Sequence, residues 1–167
     1  MGGFFGVVSK SDCVKDLFFG TDYHSHLGTQ RGGMAVMNEN GFTRFIHDIT
    51  NSQFRTKFEN DVSNLSGPYG IGVISDYEDQ PILVKSHLGT YAIVTVGVIQ
   101  NVEQLTENAF TRRITHFSEI VHNEVNPTEL VATLINNEDS FEDGLSSVQR
   151  QIEGSCSILL LTTDGIY

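Results

Sequence analysis

Asp22-x-His24-x-His26 places a carboxylate and two imidazoles at alternate positions. In an extended segment such residues share one face, and their donor types suit a zinc-like ion. No third ligand motif accompanies them, so a loop with structural hydrogen bonds is the preferred reading and no metal is expected. Cys13 follows Ser11-Asp12 at an expected helix start, where a thiolate would be stabilised. A small buried hydrophobe is the simpler role for it. Cys156 falls mid-strand in an apolar segment and reads as core. The six histidines are scattered and form no Cys/His or Ser/His/Asp pattern. Glycines crowd Gly28 to Gly33, but no Gly-Lys-Ser/Thr follows, so a phosphate loop is excluded.

The elements that must carry these residues follow from periodicity. Residues 3–9 read as a buried strand, followed by a helix over 12–19 capped by Ser11 or Asp12 and stopped by Gly20. A strand over 34–38, a turn at Asn40-Gly41 and a returning strand from Phe42 to Ile46 form a hairpin. Phe54, Phe58, Val62 and Leu65 recur at helix spacing within 51–66, and Gly67-Pro68 ends that helix. Strands are expected at 69–75, near 82–85 and at 91–99. Helices are expected near 101–109, 116–124, 127–136 and 140–152, with Asn126 capping the third and Pro127 in its first turn. Ser155 to Thr163 is a last apolar strand. Strands, then helices, then a strand do not fit a βαβ repeat; they fit an α+β layered fold with mostly antiparallel sheets.

Several segments together resemble the class II, or N-terminal-nucleophile, glutamine amidotransferases, and most of all the glutaminase domain of amidophosphoribosyltransferases. That family opens Met-Cys-Gly-Ile/Phe-x-Gly; here Met1-Gly2-Gly3-Phe4-Phe5-Gly6 keeps the glycines but has Gly2 in the cysteine position. Its His-Arg-Gly-x-x-x-x-Gly segment is matched by His26 to Gly33, with Leu27 for Arg. Its Gly-x-Gly-His-x-Arg strand is matched by Gly70 to Ser75, with Ser75 for Arg, and its Gln-Pro by Gln80-Pro81. Its His-Asn-Gly-x-Leu/Ile-x-Asn segment is matched by Thr95 to Asn101, which keeps Gly97 and Asn101 but has Val96 for the oxyanion Asn. Its Ser-Asp-Ser/Thr-Glu motif is matched by His116-Phe117-Ser118-Glu119, with Phe117 for Asp, and its Gly-Ala-Tyr-Ser strand by the segment following Gly154.

The resemblance implies a four-layer αββα sandwich. It also implies that the catalytic positions fall at Gly2, Ser75, Val96, Gly97 and Phe117 with no catalytic set intact, and that Gly97 and His26 are the retained substrate-side positions. Glycine offers no nucleophile for a covalent route. One lost oxyanion donor alone costs roughly 2.7–4 kcal/mol of transition-state stabilisation. Ser75 lacks the carboxylate-binding fork of Arg, and Phe117 offers an ammonium only its ring face. The expected function is a degenerate glutaminase-like domain of an amidophosphoribosyltransferase-like protein of purine synthesis, with a structural, regulatory or partner-binding role and a drier, narrower pocket. The alternative is an active amidotransferase, converting glutamine to glutamate and ammonia, in which Gly2 replaces the nucleophile. No cofactor is implied.

Composition bounds the remaining classes. With 167 residues, 39% of them hydrophobic, the chain is expected to be one domain over 1–167, and a C-terminally truncated piece of a longer chain. A formal net charge of −11 disfavours nucleic acid as a partner. No run of 18 apolar residues and no basic-then-apolar leader occurs, so neither a membrane span nor a secretory signal is read. Two cysteines far apart in sequence fit a reducing cytoplasm. The expected partners are a C-terminal phosphoribosyltransferase domain, another protein or a second copy of the chain.

Overall fold

The computed structural model describes residues 2–27, 30–112, 116–121 and 123–167. In chain order, β1 (Gly3–Val8) leads to α1 (Val14–Tyr23), a 3-10 turn at His24–Leu27, β2 (Arg31–Asn38), β3 (Gly41–Asp48), α2 (Phe54–Val62) and β4 (Tyr69–Ser75). There follow β5 (Ile82–Ser86), β6 (Gly89–Ile99), α3 (Val102–Thr111), β7 (Ile120–Val121), β8 (Glu124–Val125), α4 (Pro127–Ile135), α5 (Phe141–Gln151), β9 (Gly154–Thr162) and β10 (Gly165–Ile166). One antiparallel sheet has the order β1-β4-β2-β3 and a second the order β10-β9-β6-β5.

The period-2 alternation of the strands explains the layering. On β2 and β4, Ala35, Met37, Ile71 and Val73 face Ala92, Val94 and Leu161 of the second sheet. Their alternates Met34, Val36 and Ile74 face Val14 and Leu17 of α1 and Phe54 and Phe58 of α2. On the second sheet, Tyr91, Ile93 and Leu160 pack against Leu130 and Ile135 of α4 and Val148 of α5. Three apolar seams between four layers make the αββα sandwich. Because central strands are covered on both faces, their sequences read as continuous apolar runs.

Close approach of α1 to β4 depends on missing side chains. A Cβ at Gly72 would lie 1.9 Å from Thr21 Oγ1, and one at Gly70 would lie 2.7 Å from Leu17 Cδ2. Thr21 itself is wholly buried and donates its hydroxyl to the Leu17 carbonyl at 2.7 Å. The expected cap is met at α4, whereas α1 starts from Cys13, which makes no side-chain cap bond, and runs past Gly20 to Tyr23. The Asp12 carboxylate accepts from the Val14 N–H at 2.8 Å, and the Asn126 side chain accepts from the Thr128 N–H at 2.9 Å, ahead of Pro127.

The expected helix over 116–124 is not formed. Residues 116–119 are irregular, and β7 and β8 make a short hairpin beyond them. The Glu129 carboxylate captures the N–H groups of Ser118 (3.0 and 3.2 Å) and Glu119 (2.9 Å) and the Ser118 hydroxyl (3.0 Å). Asn123, at φ 68°, occupies the left-handed region that a tight turn needs and a helix interior excludes. Spacing of Phe117, Ile120, Val121 and Val125 imitates a helical stripe, but the segment's hydrogen bonds go elsewhere. Among the described residues, no helix is long and apolar enough to cross a membrane.

Candidate functional site

A cleft of about 750 Å³ opens where β4 and β6 end side by side. Its walls come from Gly2, the end of β4 with the following turn Asp76–Glu78, residues 95–100, the first two turns of α3, the β8 hairpin and Cys156 of β9. Gly2, Ser75, Val96 and Gly97, read from scattered sequence motifs, converge on this one cleft.

Each of these positions has a local structural reason. A Cβ built at Gly2 would lie 2.1 Å from the Ile74 carbonyl oxygen and 3.3 Å from Ser75 Cα, so the backbone there admits no side chain without moving. Ser75 is buried and its hydroxyl donates to the Glu78 carbonyl at 2.6 Å, closing the turn instead of facing a ligand. Val96 is half-buried and packs into the seam between the sheets. Gly97 pairs with Cys156, and a Cβ there would lie 2.1 Å from the Ser155 carbonyl oxygen. Asn101 is spent on structure: its amide donates to the Gln151 carbonyl at 2.9 Å and accepts from the Glu153 N–H at 3.0 Å, tying the start of α3 to the end of α5.

Phe117 and His26 do not join the cleft lining. Phe117 packs on the α4–α5 core and meets the Phe110 ring edge-on at 5.5 Å. His26 Nδ1 lies 2.5 Å from the Tyr23 carbonyl oxygen in the 3-10 turn. In the same region, Asp22 accepts from Arg55 Nε at 2.6 Å, and a Cβ on Gly3 would meet the His24 ring at 2.6 Å. No group of three or more His, Cys, Asp or Glu is arranged to hold a metal ion among the described residues. Gly28 lies outside the described residues.

Two features of the cleft depart from the sequence reading. The pocket is not dry, because Asp76, Glu78, Glu103, Glu107 and Glu124 all line it. No lysine, arginine or histidine among the described residues does so. Burial raises the Glu78 carboxyl above its ordinary range, the Glu78 and Tyr77 backbone N–H groups pull it back, and Asp76 raises it further. Burial likewise raises the Tyr77 phenol, with Glu78, Glu124 and Asp76 adding to the shift. The second departure is Cys156, expected as core: it packs on the core and also reaches the cleft wall. Burial pushes its thiol up to about 11, so it is protonated at neutral pH and is no ready nucleophile. Cys13, wholly buried, is the hydrophobe expected, and burial holds its thiol at about 11.

No protein-family model matches this chain, and no curated protein matches it. Solved structures do. One is the glutamine phosphoribosylpyrophosphate amidotransferase from B. subtilis, complexed with ADP and GMP: TM-score 0.80 at 20% identity over 97% of this chain and 35% of that one. Another, described as the allosteric regulatory enzyme of purine biosynthesis, gives a TM-score of 0.80 at 19% identity over 96% of this chain and 35% of its own. The chain therefore spans about a third of the length of these relatives. At such identities the likeness establishes the fold alone: this chain shares the αββα sandwich of the matched part of those enzymes.

Proposed function

We propose that this chain is a glutaminase-fold domain, part of a longer amidophosphoribosyltransferase-like protein, that no longer hydrolyses glutamine and keeps a binding or regulatory role. The observation that carries this reading is at Gly2. The residue has no nucleophile, and its backbone runs so near the Ile74 carbonyl that a Cβ would lie 2.1 Å from it. The surroundings agree. Ser75 closes its own turn, Val96 fills the intersheet seam, and Phe117 is taken into the core. A cleft lined by carboxylates opposes the α-carboxylate of glutamine. Any attached transferase would draw its ammonia from solution or from another protein.

Glutamate release from glutamine, followed with the purified chain and with Gly2→Cys, tests the reading. Neither protein is expected to release glutamate above background, and Gly2→Cys is expected to unfold at lower denaturant because of the Ile74 collision. Sustained release by either protein would overturn the proposal, and release by Gly2→Cys alone would favour an amidotransferase lacking only its nucleophile.

A further inference from the structure

The cleft's shape and charge together specify a ligand class. Its five carboxylates do not converge on a point: Asp76 and Glu78 lie on the turn after β4, Glu103 and Glu107 one helical turn apart on α3, and Glu124 on the β8 hairpin. No three of them are grouped closely enough to hold a metal ion, which disfavours a compact divalent cation. Between the acids run apolar surfaces from Val96, Val98, Ile99 and Val102. Val98 is 63% exposed, near the end of β6 where β9 alone pairs with it, and offers the cleft an open apolar surface. On the same wall, Thr106 Oγ1 is out of reach of solvent and has no hydrogen-bond partner among the described residues. Spaced negative charges separated by methylene-sized apolar strips complement a flexible chain carrying ammonium groups at intervals.

We propose that this cleft binds an extended organic di- or polyammonium ion, its amino groups meeting carboxylates of the β4 turn, α3 and β8 and its methylenes lying on Val96, Val98 and Val102. The inference rests on the reading of this cleft as the functional site and names what would occupy it. Ammonium groups donate to carboxylates in charge-assisted hydrogen bonds, and the walls exclude water from the alkyl segments. An amino acid such as glutamine brings one ammonium and one carboxylate, and the charged side chains of the described cleft lining are all acidic.

Cys156 supplies the readout, because it is on the cleft wall whereas Cys13 is wholly buried. Methanethiosulfonates carrying a cationic or an anionic group modify a thiolate to a mixed disulfide and release methanesulfinate. At pH 8.5 the cationic reagent is expected to modify Cys156 at least ~10-fold faster, relative to the anionic one, than it modifies a small free thiol. Raising salt should shrink that ratio. Spermidine should protect Cys156 and bind by calorimetry, with glutamine and glutamate doing neither.

Glu103→Gln with Glu107→Gln, both exposed side chains, is expected to weaken spermidine binding ~10-fold or more with an unchanged circular dichroism spectrum. Asp139→Asn with Glu142→Gln removes the same charge away from the cleft and should leave binding within about twofold, because distant surface charges are screened. Glu124→Gln is a second cleft variant should the helix pair perturb folding. Equal weakening by the cleft and distant pairs, a reagent ratio equal to that of a free thiol, or protection by glutamate instead of spermidine would each overturn the inference. None of these results involves glutamate release, so the loss of glutaminase activity stands or falls separately.

Discussion

The α1–β4 contact and the cleft lie in one small fold and obey opposite rules. At the contact, Gly70 and Gly72 admit Leu17 and Thr21 so closely that even a methyl group collides. At the cleft, Ser75, Val96 and five carboxylates line a wide opening, while the surrounding strands keep their register. Residues that set backbone spacing are held by everything packed against them, because interiors are close-packed. Side chains that end in open space answer only to the ligand. The frame is therefore fixed to the ångström where elements pack, and free where the cleft opens.

The largest effect that would break this contrast is at the contact. Gly72→Ala is expected to cost about 3 kcal/mol or more, since Thr21 is buried, hydrogen-bonded and unable to turn aside; urea unfolding measures it. A cost under about 1 kcal/mol would show that α1 floats over β4 and that the glycines are incidental. Next comes Gln80, buried to 2% exposure, which donates to the Thr95 carbonyl at 3.1 Å and accepts from the Thr95 N–H at 2.7 Å. Gln80→Ala strands both Thr95 groups and is expected to cost about 2–3 kcal/mol by the same measurement.

A smaller effect should appear in alkali. Cys13 is pushed from its ordinary 9.0 up to about 11, mainly by burial. The folded thiol holds its proton more tightly than the unfolded one, so its stabilisation is complete below pH 9 and is lost as pH rises toward 11. Burial raises the Tyr91 phenol as well, which deepens the loss at the upper end. The urea midpoint is expected to fall between pH 9 and 11, with a flatter profile in Cys13→Ala compared with its own value at pH 8. The smallest effect sharpens the comparison: Glu103→Gln with Glu107→Gln should alter stability by less than about 0.5 kcal/mol, despite its effect on ligand. A large destabilisation there would mean that the cleft carboxylates serve the fold.

Much of the frame was legible because central strands betray themselves by apolar runs and turns by Asn-Gly and Gly-Pro. The hairpin at β7 and β8 was not, since its apolar residues recur at helical spacing and the decisive partner, Glu129, belongs to the next helix. The site was legible in half. Gly2, Ser75, Val96 and Gly97, read from separate motifs, line one cleft. Phe117 was misplaced with the segment that carries it, and the carboxylate lining escaped notice because its members sit on separate elements. Charge read along a chain looks dispersed; only folding gathers it. Cys156 escaped in a related way, because a mid-strand position conveys alternation but not which strand end opens to solvent.

The Gln80 bridge has one more consequence. Its side-chain amide meets both backbone groups of Thr95, acting as a single extra rung beside β6 where no strand runs. Every other rung of that ladder breaks only when a strand lifts, but this one breaks when one rotamer turns. Deuterium uptake at the Thr95 amide would then keep time with that side chain, a clock separate from the sheet it is fastened to.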